Sequence, residues 1–265
     1  MENSQWIVVG VGAGAFILGI IFIVMGVLSR RKLTAIRETP TVKADQACRM
    51  ADPTGSKLVE ITGNTESPTP LTAPAGGREV LYYRHKVERM ERRRVTDSSG
   101  NERWEENWRT VRDDKQDTSF IVKDETGQVW VNPDGADFVP ELIMNDQPGA
   151  YGYDTSAGSS VGGVLGSVLD TVTDVASGSY GDYYRTSEWI IPLGAPVYVL
   201  GGACSGQTGA QIVKSQGKPF IISYKPETEL TKKYTWHYVL WWAFGGLLGA
   251  GGIAAAVYGA GFMKK

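Results

Sequence analysis

The sequence predicts a mainly β domain, a small antiparallel barrel or sandwich, flanked by two transmembrane α-helices. Three observations carry this reading. Apolar runs at residues 6–29 and 236–262 hold no charged residue, and each exceeds the roughly 20 residues that cross a hydrocarbon core of about 30 Å. Between them, stretches rich in Val, Ile, Tyr and Trp recur and are separated by turn residues, the pattern of short strands. The charges belong to the middle: of 27 Lys+Arg and 29 Asp+Glu, only Glu2, Lys264 and Lys265 lie outside residues 30–233. Such a balanced surface lacks the basic excess of a general nucleic-acid binder, so no nucleic-acid partner is expected.

Residues 1–29 read as an N-terminal transmembrane anchor. A cleaved signal peptide would open on basic residues and carry a shorter apolar core, whereas Met1–Gln5 holds Glu2 and neither Lys nor Arg. Arg30, Arg31, Lys32 and Arg37 follow at once, and Lys232 and Lys233 precede the second run. The positive-inside rule then sets the β domain in the cytoplasm and both termini on the opposite side. Lys264 and Lys265 work against that contrast. Residues 30–56 read as a juxtamembrane linker or short helix.

Residues 234–263 read as the C-terminal transmembrane helix. It opens on an aromatic collar of Tyr234, Trp236, Tyr238, Trp241 and Trp242, rings that favour the headgroup level. His237 in this collar reads as an interfacial side chain. Gly10 and Gly14 in the first run, and Gly245 and Gly249 in the second, are small residues four apart. That spacing lets helix backbones approach closely. They are the helix-packing candidates, acting between the two anchors or between copies in a homo-oligomer.

Residues 57–226 make the β domain. Strands are expected at 57–65, 79–95, 118–123, 128–131, 188–192, 196–202 and 220–224. Thr126-Gly127 and Pro133-Asp134-Gly135 supply turns, because Gly accepts positive φ and Pro presets its own. A Gly/Ser-rich insertion lies near 149–184. Within it, apolar residues at 161, 164, 165, 168, 169, 172 and 175 have helical spacing. The Lys-free acidic remainder of that segment favours packing on protein over packing on anionic lipid. Cys48 and Cys204 could pair, but nothing requires it; two partly buried thiols are expected.

The run 84–94 contains Arg84, Arg89, Arg92, Arg93 and Arg94, candidates for contact with anionic headgroups. The competing reading is a long hairpin about Ser98-Ser99-Gly100-Asn101, with Glu102, Glu105 and Glu106 pairing across strands. Trp104 and Trp108 are the candidate partner surface, since binding hot spots favour Trp, Tyr and Arg. In a strand, His85 would share a face with Tyr83 and Val87, and Arg84 and Lys86 would take the other. No nucleophile or orienting carboxylate for His85 is identifiable, so a structural role is expected. Cys204 lacks a visible cause for a lowered pKa. The Gly201–Gly206 turn lacks the lysine of a phosphate loop. No catalytic residue, cofactor or metal site is expected.

A family resemblance runs through these residues. The order Thr39-Pro40-Thr41, Val59-Glu60-Ile61-Thr62-Gly63, Pro70-Leu71-Thr72-Ala73-Pro74 and Gly77-Arg78-Glu79-Val80-Leu81-Tyr82-Tyr83-Arg84 resembles the GIDE domain. It continues through Phe120-Ile121-Val122-Lys123-Asp124-Glu125-Thr126-Gly127, Ser187-Glu188-Trp189-Ile190-Ile191-Pro192 and Val197-Tyr198-Val199-Leu200-Gly201. This is the "beside a membrane" (BAM) domain of MULAN-type membrane-anchored ubiquitin ligases, and the two flanking anchors match that layout. The resemblance implies a RING domain after the second anchor. A RING needs about eight Cys/His ligands in tight spacing, and this sequence offers only Cys48, Cys204, His85 and His237, scattered. The expectation is a short member without the C-terminal RING, onto which no ligase residue carries over.

The expected function is therefore a membrane-tethered, non-enzymatic binding or scaffold module, whose partners are the lipid bilayer and an unidentified protein. The alternative is the membrane component of an E3 ubiquitin-protein ligase-like system. A weaker alternative is a channel or transporter accessory subunit, against which stands the absence of charge inside either apolar run.

Overall fold

A computed structural model of the chain describes residues 2–145, 183–206 and 209–262. The helical pattern expected at 161–176, and all but the last two residues of the 149–184 insertion, lie outside the described residues. Helix α1 (Glu2–Glu38) runs unbroken through the first apolar stretch and on past it. A short α2 (Ala44–Met50) follows, and α3 (Glu227–Phe262) ends the described chain. Both long helices have the length and apolar composition to cross a membrane. Each continues beyond its apolar run on the β-domain side: α1 through residues 30–38, where the sequence suggested a linker or short helix, and α3 from residue 227.

Between the helices lie β1 (Lys57–Glu66), β2 (Leu71–Thr72), β3 (Glu79–Thr96), β4 (Glu102–Asp117), β5 (Phe120–Asp124), β6 (Gly127–Val131), β7 (Asp137–Val139), β8 (Glu141–Asn145), β9 (Tyr184–Pro192), β10 (Pro196–Gly206), β11 (Gly209–Val213) and β12 (Ile221–Ser223). Strands β1, β5, β6, β11 and β10 pair in that order, and β10 returns to β1, which closes a five-stranded barrel. The choice the sequence left open, barrel or sandwich, resolves to a barrel. Its pairs are antiparallel except β11 with β6. Strand β12 adds to the free part of β10, and β7 adds to β12 in parallel. A second sheet, a half-barrel, runs β2–β3–β9–β8, with β4 also paired to β3.

The barrel closes on Val59, Ile61, Phe120, Val122, Val129, Val131, Val197, Val199 and Ile212, and α2 inserts Ala44 and Ala47 into the same core. Asp124 accepts a hydrogen bond from the Ala44 backbone N–H at 2.8 Å, which holds α2 against the barrel. Gly201 sits where two side chains leave no room: a Cβ there would lie 2.5 Å from Ile212 Cγ2 and 2.8 Å from Phe220 Cδ2.

Strand β10 explains how the membrane helices and the barrel join. Val197 and Val199 point into the barrel. Tyr198 and Leu200, on its other face, pack with Leu33 and Ile36 of α1, Leu230 and Tyr234 of α3, Ile221 and Val139. A strand buried on both faces reads as a continuous apolar run rather than an alternation, which is what Val197–Leu200 shows.

Candidate functional site

Three features bear on function: the joint between helices and barrel, a stripe along the second sheet, and a cleft where the sheet meets the barrel.

At the joint, Thr41 follows α1 and pairs with Glu60 of β1, and the Val42 N–H donates to the Glu60 carbonyl at 2.8 Å. The Glu60 side chain is 2% exposed. It accepts hydrogen bonds from the Thr41 hydroxyl at 2.6 Å and the Tyr198 hydroxyl at 2.8 Å. Burial pushes the Glu60 carboxyl above its ordinary range; the two hydrogen bonds act against the shift and Glu227 adds to it. Burial and the Glu60 charge in turn push the Tyr198 hydroxyl up. Lys32 of α1 pairs with Asp137 of β7 at 2.7 Å. The Arg37 guanidinium of α1 donates to the Thr235 hydroxyl of α3 at 3.4 Å. The α1 stem is thus bonded to the β domain and to α3, whose own stem packs on the β domain through Leu230 and Tyr234.

The helices pack as an antiparallel pair. A Cβ on Gly245 would lie 2.9 Å from Ile23 Cγ1, one on Gly252 would lie 2.7 Å from the Gly12 carbonyl, and one on Gly19 would lie 2.8 Å from the Gly249 nitrogen. Phe22 meets Trp241 with ring centroids 5.2 Å apart. Gly245 therefore lies in the seam between the helices, with the Gly249 backbone against Gly19, although a Cβ on Gly249 itself would meet nothing within 4 Å. Gly10 and Gly14 face open space, and the first helix contributes Gly19 and Gly26 instead. Spacing marks small-residue faces, but only the partner's position says which face is used.

The stripe is built by the long β3–β4 hairpin, which reaches well past β9 as a two-stranded arm. Its turn is set by Asp97, whose carboxylate accepts from the Ser99 and Asn101 N–H groups at 2.8 and 2.9 Å, with Gly100 at φ 84°. Alternation puts Arg84, Lys86, Glu88, Met90, Arg92 and Arg94 of β3 on one face. Their cross-strand neighbours include Asp113, Trp108, Glu106 and Trp104 of β4, and Trp189 and Arg185 of β9. Along this face guanidinium groups and aromatic rings alternate. Arg84 lies over Trp189 at 5.3 Å, Arg185 over Trp108 at 4.5 Å, Arg92 over Tyr183 at 5.8 Å and Arg94 over Trp104 at 5.1 Å. Each guanidinium also has a carboxylate. Arg84 holds Asp113 in two parallel bonds of 2.8 and 2.7 Å. Arg185 reaches Glu88 at 2.7 Å, Arg92 reaches Glu106 at 2.9 Å and Arg94 reaches Glu102 at 3.0 Å. The hydrogen bonds from Arg185 and Lys86 hold the Glu88 carboxyl below its ordinary range.

The sequence candidates thus separate by face. Arg84, Arg92, Arg94, Trp104 and Trp108 come together on the stripe. Arg89 and Arg93 lie on the opposite face, Arg89 beside Glu91 at 3.2 Å and Arg93 across from Glu105. Trp104 is 63% exposed. Arg185, Tyr183 and Trp189 complete the stripe and were missed as site residues, because their place beside β3 is a long-range pairing.

The cleft, of about 420 Å³, is lined by Tyr82, Arg84, Lys115, Asp117, the 133–136 turn, Asp137 and Phe138. Tyr82 and Phe138 stack at 4.1 Å in its wall. Burial, with Asp134 nearby, pushes the Asp117 carboxyl up.

His85 does have a carboxylate partner, which the sequence did not reveal. Its Nδ1 lies 3.2 Å from Glu188 Oε1, both side chains being buried. The same oxygen accepts the Ala75 N–H at 2.9 Å, which ties the 73–78 loop to the sheet. Among the described residues no hydroxyl or thiol is hydrogen-bonded to this pair, so the geometry is that of a loop clasp. Cys48 and Cys204 are both free thiols, and burial pushes the Cys48 thiol up. Among the described residues, no group of three or more His, Cys, Asp and Glu side chains could hold a metal ion.

No curated protein and no solved structure shows a significant match to this chain. A family model does: GIDE, described as E3 ubiquitin ligase, matches residues 88–255. The match begins within β3, takes in the distal arm and most of the barrel, and ends inside α3. Covering well over half of the sequence, it shows that this chain belongs to the GIDE family.

Proposed function

We propose that this protein is a membrane-tethered binding and scaffold module that acts by contact, offering the stripe of the β3–β4 arm to a protein partner at the membrane surface. The observation that carries the reading is the set of four Arg–aromatic stacks on one face, each guanidinium neutralised by a carboxylate of the same chain. Arg and Trp dominate interface hot spots. Internal neutralisation disfavours anionic headgroups as the ligand, since membrane attraction scales with uncompensated basic charge. The basic residues at both stems, Arg30, Arg31, Lys32, Lys232 and Lys233, support a cytoplasmic β domain with both termini across the membrane. The test is affinity capture from native membranes with the intact chain and with a Trp104→Ala, Arg94→Ala variant. A reproducible partner lost from the variant is expected; equal recovery of every partner by both chains rejects the stripe. Binding of the chain's extramembrane face to anionic vesicles would return the arginines to a lipid role.

A second reading has one specific support, the family's description as E3 ubiquitin ligase. In it, the chain is the membrane component of a ligase-like system. A neighbouring coding sequence with a zinc-ligand cluster or a ubiquitin-like protein would favour it. Failure of the purified chain to alter ubiquitin transfer by any such companion would reject it.

A further inference from the structure

Where the two long helices leave their apolar runs, their stems bring lysines to one aromatic ring. Lys32 of α1 stands three residues past Ser29, and Lys233 of α3 stands three residues before Trp236. At about 1.5 Å per residue, both are about 4.5 Å beyond the apolar runs, at the depth of lipid headgroups. The helices are antiparallel, so the two side chains meet at one level. The Lys32 ammonium lies 5.7 Å from the centre of the Tyr234 ring and the Lys233 ammonium 5.8 Å from it. Tyr234 is itself buried among Leu33, Ile36 and Leu230, which fixes the ring. A ring face attracts cations, and each ammonium carries three donors, so both can stay at the ring and still donate to an anion.

The neighbouring charges do not balance. Lys225 and Asp137 are near enough to act on the Lys233 ammonium, as Lys32 is. Asp137 is held by Lys32 at 2.7 Å, and Glu229 by Lys225 at 3.2 Å. Among the described residues, Lys233 has no carboxylate at ion-pair distance, and it is exposed. Three ammonium groups thus share two carboxylates, and like charges so gathered disfavour one another until an anion joins them.

We infer that the helix stems form a site for the phosphate of an anionic phospholipid, held by Lys32 and Lys233 beside Tyr234, with Lys225 adding to the attraction. Lipid phosphate is the anion present at this depth, and basic pockets between membrane helices hold anionic headgroups. A choline headgroup would bring a further cation to the lysines, so the site selects lipid of net negative charge. The inference stands apart from the proposed function, because the stems and the stripe on the arm are different surfaces.

The experiment uses the full chain reconstituted in vesicles of equal parts phosphatidylcholine and phosphatidylglycerol. After extraction in mild detergent, native mass spectrometry counts the lipids retained. Phosphatidylglycerol should be enriched over phosphatidylcholine on the native chain. Lys233→Gln should lower that ratio about fivefold, the weight of one lysine at a charged surface. Lys233→Arg should keep it. Lys232→Gln removes the same charge from the exposed neighbour and should leave the ratio unchanged, as should the Trp104→Ala, Arg94→Ala variant of the arm. Excess inorganic phosphate should not displace the lipid. No enrichment on the native chain, equal loss from the two lysine-to-glutamine variants, or loss from the arm variant overturns the inference. Displacement by inorganic phosphate would assign the site to free phosphate and overturns it as well.

Discussion

Replacing Tyr198 with Phe removes one hydroxyl from the joint between the membrane helices and the barrel. The Tyr198 hydroxyl donates to Glu60 at 2.8 Å inside a buried site. Phenylalanine fills the same space, so the loss is that hydrogen bond and little packing. A hydrogen bond to a charged group contributes about 1.5–3 kcal/mol, against about 0.5–1.5 for a neutral one. The cost therefore depends on the protonation state of Glu60. Burial raises the carboxyl above its ordinary 4.5 in the folded protein, so the folded state keeps the proton to higher pH than the unfolded chain does. The stability tied to that proton is complete below about 4.5 and is lost as pH rises through the folded value. At a pH above the folded value, where Glu60 is ionised, Tyr198→Phe should cost about 2 kcal/mol, or roughly 4–8 °C in Tm for a domain of this size. At pH 4, with Glu60 neutral, the cost should fall to about 1 kcal/mol, or roughly 2–4 °C. Thermal unfolding of the full chain in detergent micelles, followed by tryptophan fluorescence, reads both values. An unchanged Tm, or the same loss at both pH values, refutes the account of this site.

Four further outcomes are expected. Gly245→Ile should splay the two long helices, since even a Cβ there meets Ile23 at 2.9 Å, whereas Gly10→Ile should not; cysteine crosslinking between the helices separates the two. Gly201→Val should cost about 1–3 kcal/mol by overpacking against Ile212 and Phe220, read as a lowered Tm. Trp104→Ala should change stability by less than about 0.5 kcal/mol, as exposed positions do, while weakening partner capture. Hydrogen bonds from Thr54 and Ser56 hold the Asp52 carboxyl well below the ordinary 3.8. That contribution is complete at neutral pH and lost as pH falls through the folded value, so Asp52→Ala should narrow the stability difference between pH 6 and pH 2 in chemical denaturation.

Much of this architecture is legible in the sequence where periodicity and burial agree. The seven expected strands correspond to β1, β3, β5, β6, β9, β10 and β12, because their apolar residues face a core. Strand β4 was readable only as the return arm of a hairpin: it buries almost nothing, so no hydrophobic alternation marks it. The expected cross-strand pairing held for Glu102 and Glu106, which meet Arg94 and Arg92. Strands β2, β7, β8 and β11 are short, and long-range pairing defines them more than composition. The Arg84 and Lys86 face was foreseen from alternation, but its partners Trp189 and Arg185 lie about a hundred residues away in sequence. The Glu188 partner of His85 was hidden for the same reason. In the membrane helices, spacing singled out Gly10 and Gly14, whereas Gly19 and Gly26 are the first-helix glycines that lie in the seam.

The central claim is that a two-helix membrane hairpin holds the β domain against one face of the bilayer, bonded to it through the helix stems. Labelling single cysteines with a membrane-impermeant maleimide on sealed vesicles tests it most directly. With Ser99→Cys at the exposed tip of the arm and Ser4→Cys before the first apolar run, one position should label from outside and the other only after the membrane is opened. Labelling of both from the same side, with the vesicles intact, would contradict the account.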